Sequence, residues 1–243
     1  MVDQSNTQYG ATTRTDDKVF DAGLRSYMMR VYNYMASGVL LTGIIAMVAS
    51  TSPTILDMLY GPTGGYTGFG TLIAFSPLIF VLVMSFGINR MSSGTLQMLF
   101  WAFAAVMGLS LSSIFLVYTN ESIARTFFIT AATFGSLSLY GYTTKKSLSG
   151  WGTFLFMGLI GIIIASVVNM FMASSQLNFI ISAAGVLIFA GLTAYDTQKI
   201  KQMYFHMTTG ETRAKGAIMG ALNLYLDFIN LMLMLLRFMG DRR

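Results

Sequence analysis

The sequence predicts an all-α membrane protein with seven transmembrane helices, the last helix central in the bundle. Three observations predict it. The 243 residues are 54% hydrophobic and only 10% charged, whereas a soluble domain carries about 25% charged residues. Seven apolar segments follow one another, each near the ~20 residues that a helical span requires. The last of them carries small and polar residues along a single face, which suits a bundle centre and not a lipid contact.

In chain order, residues 1–25 read as a polar, mobile N-terminal tail and residues 26–243 as the seven-helix domain. The tail opens MVDQSNTQYGATTRTDDK, without the basic start and apolar core of a secretory signal. The spans run roughly over 31–49, 72–88, 96–118, 123–142, 154–172, 177–195 and 217–238. Very short turns around 120–122 and 174–176 make their flanking segments antiparallel neighbours. Residues 51–70, TSPTILDMLYGPTGGYTGFG, read as a Gly-rich loop with neither Lys nor Arg. Eleven Lys and Arg flank the spans on the side of the N-terminus and four on the other, so the positive-inside rule puts the N-terminus in the cytoplasm. Seven spans then put the C-terminus outside. Arg237, Arg242 and Arg243 dissent, since a re-entrant last segment would return both ends to the cytoplasm.

Several functions are excluded. The net charge of +5 is spread between apolar spans and sets topology; it does not form a nucleic-acid surface. Cysteine is absent, which removes disulfides and thiolate metal sites. The one histidine, His206, lies in the polar connection YFHMTTGE, so no Ser–His dyad or multi-His metal site forms within the membrane. The last span holds no lysine for a retinal Schiff base. The chain reads as no enzyme, with no cofactor and no small-molecule substrate.

The last span, LYLDFINLMLMLLRF over 224–238, keeps Asp227 among apolar residues. Gly216, Gly220, Asn223, Asp227 and Asn230 recur at helical spacing and share one face. Asn223 and Asn230 read as interhelical glue or as pore-facing polar groups; Asp227, ionisable inside a membrane, reads as a functional site ahead of glue. The sixth span ends AGLTAYDTQKIK, and its Asp196 reads either as a boundary residue paired with Lys199 one turn on or as a second functional carboxylate. By these span limits Asp227 lies about two turns deeper than Asp196. Two carboxylates in contact would share a proton and titrate as a unit, a pH sensor. Deprotonated, they would offer the hard oxygen ligands that calcium prefers.

YDTQKIK and LYLDFINLMLMLLRF, together with FGSLSLYGYTTKKSLSGWG over 134–152, resemble the Bax inhibitor-1 family in its bacterial, YccA-like branch. The resemblance spans essentially the whole membrane region. It implies a seven-helix fold in the inner (plasma) membrane, its last helix wrapped by the other six. It also implies a pH-sensitive calcium leak with an aspartate pair at Asp196 and Asp227, which calcium contacts in transit. An arginine at the end of the second span latches the first aspartate in that family, and FGINRMSS offers Arg90; Arg90 alternatively reads as a snorkelling boundary residue. The bacterial branch further implies an alternative role, modulation of a membrane-anchored ATP-dependent protease through the N-terminal tail. An intramembrane aspartyl protease is a third reading, because Tyr195-Asp196 matches its YD. The expected GxGD partner is missing, however, since Asp227 sits in YLD.

Overall fold

In the computed structural model, residues 5–62 and 64–243 are described, with side chains from Ala22 onward. The described backbone is helical, joined by short turns: α1 Ser5–Thr51, α2 Pro53–Leu59, α3 Gly68–Gly87, α4 Ser93–Ser110, α5 Ser112–Val117, α6 Asn120–Thr143, α7 Ser149–Met172, α8 Ser175–Met203 and α9 Gly210–Met239. A 3-10 turn, Tyr204–His206, follows α8. Helix α1 begins at Ser5, so the backbone of the expected tail is helical where it is described. Residues 1–4 and the side chains of 5–21 lie outside the described residues.

Among the described residues, six stretches are long and apolar enough to cross a membrane: Ala22–Thr51, Gly68–Gly87, Ser93–Val117, Ser149–Met172, Ser175–His206 and Gly210–Met239. The remaining expected segment, the fourth at 123–142, is present as α6, a helix of 24 residues, but it is less apolar. Its inward face is polar, with Ser122, Thr126, Thr130 and Ser138 buried. The 51–70 loop also differs from expectation. Ser52 and Pro53 start the short helix α2, proline being favoured in a first helical turn, where its missing N–H costs nothing. The third span is interrupted at Leu111, between α4 and α5.

Helix α9 lies at the centre. Buried residues make up 67% of its apolar window, against 39% or less for the others. Helices α1, α4, α6 and α8 pack on it directly, while α3 packs mainly on α4 and α7 mainly on α8. The expectation of six helices wrapped around the last therefore holds for four, with α3 and α7 forming an outer layer. The reason lies in the sequence: α3 and α7 are apolar over most of their circumference, with exposed Phe86, Phe154 and Phe171, and suit lipid there.

Polar ties fix these helices where apolar contact alone would let them slide. Tyr225 of α9 meets Thr42 of α1 at 2.6 Å, and Thr42 donates to the Ala104 carbonyl of α4 at 2.8 Å. Tyr32, Ser138 and Thr197 form a hydroxyl chain across α1, α6 and α8, at 2.8 and 2.9 Å. Glu211, at the start of α9, accepts from the Ser93 backbone N–H at 2.7 Å and its hydroxyl at 2.8 Å. That carboxylate ties α9 to the first turn of α4.

Candidate functional site

The small-residue face of α9 works as its spacing suggests. A methyl at Gly216 would run into Met207, and one at Gly220 would stand 3.1 Å from Ile200. The absence of side chains there lets α9 approach α8 and the turn that follows it. The antiparallel α8–α9 pair is the most extensive helix contact in the fold.

This packing brings Asp196 and Asp227 together. Their carboxyl groups lie within hydrogen-bond reach of each other. Asp227 is 5% exposed, and among the described residues no N–H or hydroxyl donor reaches its buried Oδ2. The expected depth mismatch is closed in two ways. Helix α8 does not stop near Tyr195; with its 3-10 turn it continues about 16 Å past Asp196, so Asp196 sits well inside the helix. Helical side chains also lean toward their own N-terminus. In an antiparallel pair, Asp196 and Asp227 therefore lean toward one another.

The end of α8 is held firmly. Buried Gln198 donates to the Lys146 carbonyl at 2.9 Å and accepts from the Leu148 N–H at 2.7 Å. Lys201 donates to the Tyr142 carbonyl at 2.7 Å. Lys199 lies over the Tyr195 ring, 6.0 Å from its centre, and forms no ion pair with Asp196 among the described residues. The Lys199 charge still acts on the Asp196 carboxyl one turn away, so the boundary-pair reading holds as an electrostatic neighbour and not as a contact ion pair.

Both aspartates line a cavity of about 1130 Å³ between α7, α8 and α9. Lys199 stands at one end and Arg237 at the other; Asn223 and Asn230 of α9 line it beside Asp227. Asn230 Nδ2 donates to the Leu226 carbonyl at 2.8 Å, which leaves its side-chain oxygen for the cavity. Of the two readings of the asparagines, the place of both in the cavity lining favours the pore-facing one. Arg90 is not brought to the pair. It is exposed in the turn after α3 and makes no ion pair among the described residues, because α3 packs on α4 and not chiefly on α8.

Sequence reasoning missed the far half of this cavity. Ser166 and Asn169 of α7, Asn178 of α8 and Arg237 line it. The available signal was the pair Ser166 and Asn169, three apart on an otherwise apolar helix, hence on one face.

The fold and site define a multi-helix membrane protein with two neighbouring aspartates in a cavity beside its central helix. The family model described as "Inhibitor of apoptosis-promoting Bax1" matches residues 24–243. An uncharacterized protein of Rickettsia prowazekii is 49% identical over 243 residues, all of both chains. The protein called inner membrane protein YbhL in Escherichia coli K12 is 50% identical over 224 residues, 91% of this chain and 94% of that one. An uncharacterized protein of Caulobacter vibrioides is 46% identical over 234 residues, 93% of each. The chain belongs to the Bax inhibitor-1 family.

Proposed function

We propose that the protein is a pH-sensitive cation leak channel, conducting calcium across a bacterial inner membrane and gated by Asp196 and Asp227. The observation that carries this reading is the meeting of the two carboxyl groups inside a cavity that runs along α7, α8 and α9. A hydrogen bond between two carboxyl groups requires a proton on one of them. Once that proton leaves, two like charges face each other in a poorly solvated site, and a divalent cation relieves the repulsion. Calcium takes six to eight oxygen ligands. The pair and the amide oxygens of Asn223 and Asn230 supply fewer, so water travels with the ion and its stay is short. Proton and calcium compete for the same oxygens, and calcium entry rises as the pair deprotonates.

Helix α6 serves as the seventh span. Its polar face turns toward α8 and α9, while Phe128 and Leu139 face outward, and 24 residues reach about 36 Å at 1.5 Å each. The lysine and arginine distribution supports a cytoplasmic N-terminus, and the inner membrane is where YbhL, by its name, resides. An aspartyl protease would also use a paired dyad. A leak is the better reading because the cavity continues past the pair to Arg237, which peptide cleavage does not require. Modulation of a membrane-anchored protease is the alternative role, and it would act through the tail.

The test uses the absence of native cysteine. Asn230→Cys, reconstituted in liposomes loaded with a calcium dye, should conduct until a thiol reagent fills the cavity and then stop. Entry that continues after complete labelling removes this cavity from the ion path.

A further inference from the structure

A second cavity, about 500 Å³, lies between α1, α5, α6 and α9, away from the aspartates. Val39, Gly43, Phe127 and Met232 give it an apolar wall, and Asn120 and Arg243 stand at one end. Met47 and Phe128 on its rim are exposed, so it opens sideways toward the surrounding bilayer. Along α1 it extends from Val39 to Thr51, about 18 Å at 1.5 Å per residue. That depth is close to one leaflet, half of the ~30 Å hydrocarbon core.

The polar end is built deliberately by the chain. Residues 241–243 fold back on the turn between α5 and α6. The Thr119 N–H donates to the Asp241 carbonyl at 3.1 Å, the Arg243 N–H to the Val117 carbonyl at 2.9 Å, and the Asp241 N–H to the Ser122 hydroxyl at 2.9 Å. Arg243 Nη2 donates to Asn120 Oδ1 at 3.1 Å, which leaves most of its planar fork of donors at the cavity mouth. Arg242 lies over the Tyr118 ring, 5.9 Å from its centre. Asp241 pairs with Arg125 at 2.8 Å and makes no ion pair with Arg242 or Arg243 among the described residues.

We infer that this cavity binds an anionic phospholipid, with one acyl chain along α1 and α6 and the headgroup phosphate on Arg243. An apolar slot of leaflet depth that ends in a pinned guanidinium complements that molecule in shape and in charge. A zwitterionic lipid fits the slot but gains less at the mouth. The site is separate from the carboxylate pair and does not depend on the leak reading.

The test is native mass spectrometry of the full chain, delipidated in detergent and then titrated with dioleoyl-phosphatidylglycerol or dioleoyl-phosphatidylcholine. Phosphatidylglycerol should bind about fivefold more tightly, the factor that one basic residue facing an anionic headgroup confers. Arg243→Gln should erase the preference, weakening phosphatidylglycerol more than phosphatidylcholine, and Arg243→Lys should retain it. Gly43 supplies the second arm, because a methyl there would meet nothing within 4 Å. Gly43→Leu should fill the slot and weaken both lipids equally. Equal binding of the two lipids by the wild type, or a preference that survives Arg243→Gln, overturns the assignment. Should Gly43→Leu fail to fold, the two Arg243 variants still decide the question.

Discussion

A carboxyl group in the middle of an apolar helix persists only where something accepts its charge or its proton. For Asp227 that partner is Asp196, one helix away in the same cavity. The proposed sharing of one proton makes a residue-level prediction. The infrared carboxyl band of Asp227, followed across pH, should shift its titration midpoint in Asp196→Asn, because the two groups bind protons as one unit. An unchanged midpoint would make Asp227 a solitary group. Arg90→Gln should leave the same titration as in the wild type, since Arg90 stands exposed and apart from the pair. A shift on removing Arg90 would instead restore it as the latch that the family resemblance suggests. Asp227 was legible in the sequence because nothing else near it is charged, and one isolated carboxylate in an apolar run is a strong signal. Its contact with Asp196 was only half legible. The apolar run ends near Tyr195, but the helix does not, and hydropathy cannot report a helix that continues through polar residues. The opposed lean of side chains in an antiparallel pair also has no trace in a linear depth count.

At the scale of elements, close approach between helices is the property most open to test. A methyl at Gly141 of α6 would run into the Ala194 carbonyl oxygen of α8, whereas one at Gly135 would meet nothing within 4 Å. Gly141→Ala should therefore destabilise the protein by about 1–3 kcal/mol through overpacking. Gly135→Ala should be neutral or stabilising by up to about 1 kcal/mol, since alanine is the better helix former. Thermal unfolding in detergent compares the two directly; equal melting temperatures would mean that α6 and α8 are not in such close contact. Tyr225→Phe removes the link from α9 to Thr42 but leaves Thr42 bonded to Ala104, so a loss of about 1 kcal/mol is expected by the same measurement. Most of the long helices could be read from runs of apolar residues. Helix α2 could not, because seven residues leave no period to detect and glycines nearby suggest a loop. Helix α6 was found as a segment, yet its hydropathy alone does not certify a span. Its buried Thr126, Thr130 and Ser138 face protein, and a composition average counts them as if they faced lipid.

For the whole molecule, the arrangement is a greasy outer layer around one polar-faced helix. The central position of α9 was legible because small and polar residues recur at helical spacing on one side of it. The cavity beside it was not, since its walls come from three helices and its far end from residues on α7 that no single motif marks. The proposed orientation is checked by labelling an introduced Ser5→Cys in intact cells; an impermeant reagent added outside should leave it unmodified, and modification would invert the topology. Deleting residues 2–20 separates the two functional readings, because a leak should persist without the tail and modulation of a protease should not. Control of ion passage by the carboxylate pair is read from calcium entry into dye-loaded liposomes across a range of pH, with the wild type beside Asp227→Asn. Entry into wild-type liposomes should rise with pH as the pair loses its proton, and entry in the folded variant should be nearly independent of pH. The same pH profile in both proteins, or no calcium entry with either, would contradict the account.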